Sequence, residues 1–142
     1  MPELPFSLHY SVQGEGHYTG VPTAWLRFFM CNLQCNGFGQ KDPTDESTYV
    51  LPYKDFDTST IKKIDDLPVW KYGCDSSYSW AAKFKHLQYR KTAAEICDEI
   101  ENVLKNEHNP DGTFFHPFSQ QDQHMCFTGG ESLMPHAQRA VI

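Results

Sequence analysis

The strongest constraint on the fold of this chain is an almost continuous apolar run that leads directly into a pair of cysteines. The run covers residues 23–30, and Cys31 and Cys35 follow it. An apolar run of strand length without polar alternation is typical of a strand buried on both faces, as in a parallel sheet. Its one charge, Arg27, needs a partner, a ligand or a route to solvent. The run therefore predicts a buried strand that ends at a cysteine-bearing loop.

Two further segments resemble strands. Residues 6–12 alternate apolar and polar side chains, as an edge strand or a lead-in does. The glycine-containing segment 13–16 that follows predicts a turn. Residues 123–127 predict a short strand, and a tight turn through Gly129 and Gly130 follows it. Both the cysteine loop and the diglycine turn thus come directly after a predicted strand.

One helix is clearly marked and a second is indicated. Thr92 and Glu95 form a capping-box pattern in front of apolar residues at helical spacing, which predicts a helix over about 93–107. Pro135 is placed to begin a further helix that runs to residue 142. The order of elements predicts an α/β fold with parallel strands and right-handed crossovers. In such sheets ligands collect at the C-terminal ends of the strands.

Residues 36–73 interrupt this pattern. They contain scattered prolines, aspartates and serines without strong periodicity. They predict a long loop with one short helix near 61–64. A loop of this length in a compact domain is treated as an insertion or a functional lid. The 142 residues otherwise fit one domain.

Composition excludes several classes of protein. The formal net charge is −6, so the basic footprint of a nucleic-acid-binding protein is absent. No run approaches the roughly 18 apolar residues of a membrane span, and the start of the chain does not resemble a secretory signal. We therefore expect a cytoplasmic protein, in which the five cysteines are free rather than paired in disulfides. Clustered cysteines in a reducing compartment more often bind metal or do redox chemistry.

Each chemical motif, taken alone, leaves alternatives open. Cys31 and Cys35 can hold an iron–sulfur cluster or a zinc ion, or can be buried as small hydrophobes; their spacing excludes a redox CxxC. Cys74 alone is a turn with a free thiol. The segment from Gly129 to Glu131 can receive a ligand or can be a βα turn with a helix-capping acid.

Taken together, the motifs resemble 7-carboxy-7-deazaguanine synthases, a family of radical S-adenosylmethionine enzymes. The resemblance covers residues 6 to about 138, in family order. The matching segments are Ser11-Val12-Gln13-Gly14-Glu15-Gly16, Gly20-Val21-Pro22 with Arg27, Cys31-Asn32-Leu33-Gln34-Cys35, Cys74-Asp75-Ser76-Ser77-Tyr78-Ser79-Trp80 and Thr128-Gly129-Gly130-Glu131-Ser132-Leu133.

The chain departs from the family pattern at several points. The third cysteine of the family normally lies at the position of Phe38, whereas here the matching flanks place it at Cys74. This alignment makes residues 36–73 an insertion between the second and third ligands, which loop-closure entropy permits because it grows only logarithmically. Ser76 and Ser132 replace a threonine and a proline. By the same resemblance the chain corresponds to about the first half of a parallel-stranded partial (βα)6-type barrel.

The resemblance implies a set of cofactors and residue roles. Three thiolates would hold a [4Fe–4S] cluster whose fourth iron binds S-adenosylmethionine, and a hydroxyl would help to bind Mg²⁺. The radical formed from that cofactor would convert 6-carboxy-5,6,7,8-tetrahydropterin to 7-carboxy-7-deazaguanine with loss of ammonia. The implied cluster ligands are Cys31, Cys35 and Cys74; the magnesium ligand is Ser76; the S-adenosylmethionine contacts are Tyr72, Gly73, Gly129, Gly130 and Glu131; and the substrate contacts are Gln13, Glu15 and Arg27.

The resemblance also implies partners. They are the pterin substrate, an electron donor such as flavodoxin or ferredoxin, and a second copy of the chain in a homodimer. The product would serve modified tRNA or modified phage DNA, with no direct contact to nucleic acid or membrane. Alternatively, Glu15 is a loop carboxylate and Arg27 is the partner of a structural acid. Cys97 and Cys126 are predicted to be core or groove residues, and His17 a surface residue.

Three other functions stay open from the sequence. One is a different radical enzyme, such as a glycyl-radical activase, although the Gln13-to-Gly16 segment and Trp80 argue against it. The second is a zinc-binding interaction module without catalysis. The third is a degenerate paralogue that binds a partner.

Overall fold

A four-stranded mixed sheet forms the centre of the protein. The computed structural model describes residues 4–115 and 122–135. Within these ranges the strand order is β3-β1-β2-β4, with β2 parallel to β4 and β1 antiparallel to both β2 and β3. The strands are β1 (Leu4–Val12), β2 (Pro22–Phe28), β3 (Tyr89–Lys91) and β4 (His124–Gly129). The α-helices are α1 (Pro52–Asp55) and α2 (Ala93–Leu104), and short 3₁₀ helices cover Glu46–Thr48, Ile64–Asp66, Ser77–Ser79 and Ala82–Leu87.

The predicted α/β class is confirmed, but the prediction of uniformly parallel strands is wrong. The parallel pair β2 and β4 is present, and α2 precedes β4 in the chain. β1 is not an edge strand; it lies between β3 and β2. The reason is the turn after β1, where Gln13 N–H donates to the carbonyl of Val21 at 2.9 Å and Gly20 N–H donates to the carbonyl of Gln13 at 2.8 Å. These bonds fold the chain back into an antiparallel hairpin.

α2 packs its apolar side on the sheet and forms one hydrophobic core. Phe6, Leu26, Phe28 and Ile96 are buried together, and Leu8, Ile100 and Met125 pack around them. The predicted capping box is confirmed: Glu95 N–H donates to Thr92 Oγ1 at 3.4 Å, and Thr92 N–H donates to Glu95 Oε2 at 2.7 Å. The sequence therefore predicts the start of α2 correctly.

The end of α2 comes three residues earlier than the sequence predicts. The chain leaves the helix at Lys105, and buried Asn109 folds the following turn back over the last helical residues. Its Nδ2 donates to the carbonyls of Leu104 at 3.1 Å and Thr113 at 2.9 Å, and its Oδ1 accepts from Thr113 N–H at 3.2 Å. A side chain that satisfies an orphan helix carbonyl ends the helix in place of further turns.

Replacing Asn109 by alanine is expected to lower the free energy of unfolding by about 1–3 kcal/mol, because it leaves buried backbone groups without partners. Urea denaturation followed by circular dichroism measures this change. Asn102→Ala is the matched control, since Asn102 lies exposed on α2, and we expect its effect to be within about 0.5 kcal/mol. Equal unfolding free energies for the two variants would contradict this account of the helix end.

Residues 36–73 are not a structureless loop. They contain α1 and two 3₁₀ helices, and the predicted short helix near 61–64 is found slightly later, at Ile64–Asp66. Their apolar side chains also build a second hydrophobic core, here called the insertion core, together with residues from the segment 77–87. Its buried members are Tyr53, Trp70, Ala81, Phe84 and Leu87.

Two further expectations concern a C-terminal helix and membrane-spanning segments. The helix predicted to begin at Pro135 falls outside them apart from its first residue. In residues 4–115 and 122–135, no helix combines the length and the apolar character needed to cross a bilayer.

Candidate functional site

The base of the insertion brings the second and third predicted cluster cysteines to one place. The N–H of Gly73 donates to the carbonyl of Phe38 at 2.7 Å. A Cβ at Gly39 would lie 2.7 Å from the carbonyl oxygen of Lys71, so the two ends of the insertion are in direct backbone contact. Phe38 occupies the position that the sequence resemblance assigns to a third cysteine. Gly73 directly precedes Cys74, so this hydrogen bond brings the Cys74 end of the insertion to Phe38.

The Cys31 and Cys74 thiols lie near enough to Cys35 to act on its pKa. The pKa of the Cys35 thiol is raised, first by partial desolvation and then by the charges that Cys74, Cys31 and Asp75 carry when ionised. Burial also raises the pKa of Tyr53, and Cys74 adds to that shift. The Cys31 sulfur accepts a hydrogen bond from Leu33 N–H at 3.3 Å. The loop thus gathers thiols from two distant parts of the chain.

The cysteine loop has an unusual backbone. Met30 and Cys35 both have positive φ, at 80° and 39°, which is uncommon for residues other than glycine. Met30 N–H donates to the carbonyl of Ser79 at 2.6 Å, which fixes the end of β2 to the segment after Cys74. In the part of the chain that the structure describes, no three His, Cys, Asp or Glu side chains form a site for a single metal ion.

The diglycine turn packs directly against the start of the cysteine loop. A Cβ at Gly130 would lie 1.9 Å from the carbonyl oxygen of Met30 and 3.4 Å from the Cβ of Cys31. Gly129 has φ +147°, and a Cβ there would lie 2.2 Å from the carbonyl oxygen of Phe28. Only glycine fits such an approach of two backbones. The two glycines therefore join the ends of the parallel strands β2 and β4.

The amides of the turn are engaged within the protein. Gly130 N–H donates to the carbonyl of Phe28 and Glu131 N–H to the carbonyl of Met30, each at 3.0 Å. The Glu131 carboxylate accepts from Leu133 N–H at 2.7 Å. This geometry is that of a βα turn in which the Glu131 carboxylate caps the N–H group of Leu133, the alternative to a ligand-binding turn. It leaves the second carboxylate oxygen of Glu131 and the adjoining carbonyl groups as the groups that can meet a ligand.

Arg27 connects the sheet to the residues after Cys74. Its Nη1 donates to Ser76 Oγ at 3.1 Å, and the Ser76 hydroxyl donates to Asp75 Oδ1 at 2.9 Å. The guanidinium also lies 5.5 Å from the centre of the Tyr78 ring, within the range of a cation–π contact. Arg27 therefore has partners for part of its five donors and keeps the others for a ligand.

Arg27 also lines an open cleft of about 580 Å³. Residues of β1 and a short stretch of the insertion both line it. The pKa of His9 in this cleft is lowered, chiefly by burial and then by the charge of Arg27, while Asp65 acts in the opposite direction. The cleft residues are Phe6, Ser7, Leu8, His9, Arg27, Lys63, Ile64, Asp65, Tyr78, Tyr89, Lys91 and Glu99.

The structure separates the other two predicted substrate residues from this cleft. Gln13 and Glu15 lie in the turn between β1 and β2, whereas Arg27 lies near the opposite end of β2. The six residue steps from Val21 to Arg27 span about 20 Å along a strand. Gln13 uses its side-chain oxygen to accept from Gly14 N–H at 2.9 Å. Of the three residues, Arg27 alone lines the cleft and bonds to the segment after Cys74.

The remaining predicted residues are placed as follows. Gly73 is buried and its N–H is used at the base of the insertion, while the Tyr72 ring lies 5.3 Å from Lys71 Nζ. His17 is exposed, as predicted. Cys126 is partly buried on β4. The prediction that Cys97 is a core or groove residue is wrong, because it follows Ile96 around the helix and faces solvent.

Sequence reasoning missed the contribution of the insertion to the cleft. Lys63 and Asp65 line it, yet neither was singled out as a site residue. A signal was present: Ile61, Ile64 and Leu67 recur at every third position and all pack against the insertion core. Because these apolar residues fix one side of the segment to the insertion core, the charged residues between them lie on a different side. Lys63 and Asp65 on that side line the cleft.

One comparison links the chain to a known protein. A stretch of 29 residues is 52% identical to a 7-carboxy-7-deazaguanine synthase from Bacteroides thetaiotaomicron. The stretch covers 20% of this chain and 16% of the relative, so most of both chains lies outside the match. No protein-family model matches the chain. The similarity suggests a relationship to this group of enzymes without extending to the whole length.

Proposed function

We propose that this chain belongs to a radical S-adenosylmethionine enzyme that makes 7-carboxy-7-deazaguanine, a carbon–nitrogen lyase. The observation that carries the proposal is that Cys31 and Cys74 both lie near enough to Cys35 to raise the pKa of its thiol, while the Cys31 Cβ lies beside the diglycine turn at the ends of two parallel strands. The partial match to a synthase of that name supports it. The sheet would then be part of the barrel that the resemblance implies.

The residues present are chemically suited to a [4Fe–4S] cluster. Such clusters take thiolate ligands, and three thiolates leave one iron open for a further ligand. The thiols come from a loop whose two arms are tied together at Phe38 and Gly73, so their approach is built into the backbone. The pKa of Cys35 is raised first by desolvation and then by the neighbouring thiols and Asp75, and a cationic cluster core would favour its thiolate form.

The residues of this chain would bind and orient the reactants. When bound, the cluster supplies the electron that cleaves S-adenosylmethionine to a 5′-deoxyadenosyl radical. The free carboxylate oxygen of Glu131 and the carbonyls beside the diglycine turn are suited to the amino group of the cofactor. Tyr72 and Gly73 would meet its adenine, and Ser76 would contribute a hydroxyl to Mg²⁺, which prefers oxygen ligands.

Arg27 would bind the carboxylate of the substrate, 6-carboxy-5,6,7,8-tetrahydropterin. Its planar guanidinium forms paired hydrogen bonds with carboxylates, and the Ser76 and Tyr78 contacts hold it in place. Gln13 and Glu15 would serve the substrate only if the turn that carries them meets it, for instance across the interface of a homodimer. A small electron carrier of the flavodoxin or ferredoxin class would reduce the cluster in the cytoplasm.

Anaerobic reconstitution with iron and sulfide tests the proposal. We expect the wild-type chain to bind close to four irons and to show the brown charge-transfer absorption of a [4Fe–4S] cluster. Cys74→Ala is expected to lose this absorption almost completely, because a cluster left with two thiolates is not retained. Iron content, sulfide content and electron paramagnetic resonance of the reduced sample measure the outcome.

Cys97→Ala is the matched control, because Cys97 is an exposed thiol on α2 away from the loop. It should retain the iron content and spectrum of the wild type. A colourless protein that binds one zinc ion through Cys31 and Cys35 would instead support the interaction module. Unchanged iron binding in Cys74→Ala would show that the third ligand has been assigned wrongly.

A further inference from the structure

The cleft beside Arg27 is more cationic than the protein around it. Three basic side chains line it, Arg27, Lys63 and Lys91, against the two acids Asp65 and Glu99, in a chain with net charge −6. Lys91 is paired with Glu99. The pKa of His9 is lowered, which favours its neutral form. With Lys91 and Glu99 paired, Arg27 and Lys63 remain against the single acid Asp65, so the cleft keeps a net positive charge for an anion.

Lys63 is held at the cleft by apolar packing of its neighbours. Ile61 and Ile64 pack against the insertion core, and the carbonyl of Ile61 lies 3.2 Å from His86 Nε2. α1, in the same insertion, is fixed by Lys83, whose Nζ donates to the carbonyls of Tyr53 at 2.9 Å and Lys54 at 2.7 Å. The stretch that carries Lys63 is thus a fixed wall of the cleft, although the Lys63 side chain itself is exposed.

We propose that Lys63, a residue of the insertion, determines specificity in this cleft by binding the carboxylate of a planar heterocyclic ligand together with Arg27. Two cations that line one cleft suit one carboxylate, and the aromatic rings of Tyr78 and Tyr89 suit the flat body of such a ligand. The insertion is then a part of the substrate site and not a peripheral loop. The identity of the ligand rests on the proposed function. That function does not include a role for Lys63 in binding the carboxylate, which is the new part of the inference.

The Arg27 side of the cleft adjoins the thiol loop. Arg27 bonds to Ser76, and Ser76 bonds to Asp75, whose charge acts on Cys35. A ligand held by Arg27 and Lys63 would thus be linked to the segment after Cys74 through the hydrogen bonds of Arg27 and Ser76.

Equilibrium dialysis of the protein without its cluster, using two probes, tests the inference. The probes are pterin-6-carboxylate and unsubstituted pterin, which differ in the carboxylate. We expect the wild type to bind the carboxylated probe more tightly. Lys63→Ala should weaken that binding roughly twofold to fivefold, as for an exposed charge contact, and Lys63→Glu roughly tenfold. Neither change should alter the binding of pterin, and Lys63→Arg should retain the wild-type preference.

Lys62→Ala is the matched control, because Lys62 is an exposed neighbour that does not line the cleft. It should leave the binding of both probes unchanged. Equal effects of Lys62→Ala and Lys63→Ala, equal binding of the two probes, or no binding of either would overturn the inference. Because dialysis needs no cluster, its result is independent of iron reconstitution. If the cluster assembles but Lys63→Ala has no effect on probe binding, only the inference about Lys63 is wrong. If Lys63→Ala weakens probe binding but no cluster assembles, only the proposed radical chemistry is wrong.

Discussion

Replacing Gly130 by alanine is expected to destabilise the protein by about 2–3 kcal/mol. The added Cβ would lie 1.9 Å from the carbonyl oxygen and 2.7 Å from the carbonyl carbon of Met30. Both are backbone atoms, so the ends of β2 and β4 must separate to make room. The hydrogen bonds from Gly130 to Phe28 and from Glu131 to Met30 lie at this junction and would lengthen or break. The expected decrease in melting temperature is roughly 5–10 °C.

A glycine in an open turn provides the control for this substitution. In the described parts of the chain, no heavy atom outside its own neighbours lies within 4 Å of the place that a Cβ on Gly14 would occupy. Gly14→Ala should therefore change the unfolding free energy by less than about 0.5 kcal/mol. Thermal unfolding of the two variants by circular dichroism compares them directly. If Gly130→Ala unfolds at the same temperature as Gly14→Ala, the ends of β2 and β4 are not as close as described. The diglycine turn would then not lie beside Cys31 either.

Phe84→Ala is expected to lower the free energy of unfolding by about 3–5 kcal/mol. Phe84 is fully buried in the insertion core, and removing its ring leaves a cavity between the segment 77–87 and the insertion. Because Tyr53 and Trp70 pack in the same cluster, the loss should be felt first by the insertion. Hydrogen exchange resolved by mass spectrometry should show faster exchange over residues 49–71 than over the sheet.

The control for Phe84 is a phenylalanine of the insertion that faces solvent. The Phe38 side chain is 64% exposed, and Phe38→Ala should change the unfolding free energy by less than about 0.5 kcal/mol. Its backbone carbonyl, which bonds to Gly73, is kept in this variant. Uniform acceleration of exchange in Phe84→Ala, across insertion and sheet alike, would mean that the insertion core is not a separate cluster.

Elements with a strong local pattern could be predicted from the sequence. β2 was marked by its apolar run and β4 by its position before two glycines, and the start of α2 by the pair Thr92 and Glu95. The direction of β1 could not be predicted, because strand alternation does not tell whether the next turn reverses the chain. β3 was missed: it has three residues, and Tyr89 and Arg90 in it are exposed, so it has no hydrophobic signal.

For the same physical reasons, the sequence names candidate residues for the site but not the hydrogen bonds they make. Cysteines and glycines are recognised by type, so the thiols and the diglycine turn could be named in advance. Whether their N–H groups are free or engaged depends on neighbours distant in sequence, as the bonds from Gly130 and Glu131 to β2 show. The insertion core was missed because its aromatic residues follow neither a helical nor a strand period and meet only through the folded segment 77–87.

The hydrogen bond between Phe38 and Gly73 leaves the length of the insertion free to vary among natural relatives. A segment that leaves and returns at one point can gain or lose residues without moving what lies on either side of that point. Every residue from 41 to 48 is exposed, so length can change there at a cost of about 0.6 kcal/mol per doubling of the loop. Natural variants of this chain should accordingly differ in the count of residues between the second and third thiols while keeping the apolar side that faces residues 77–87.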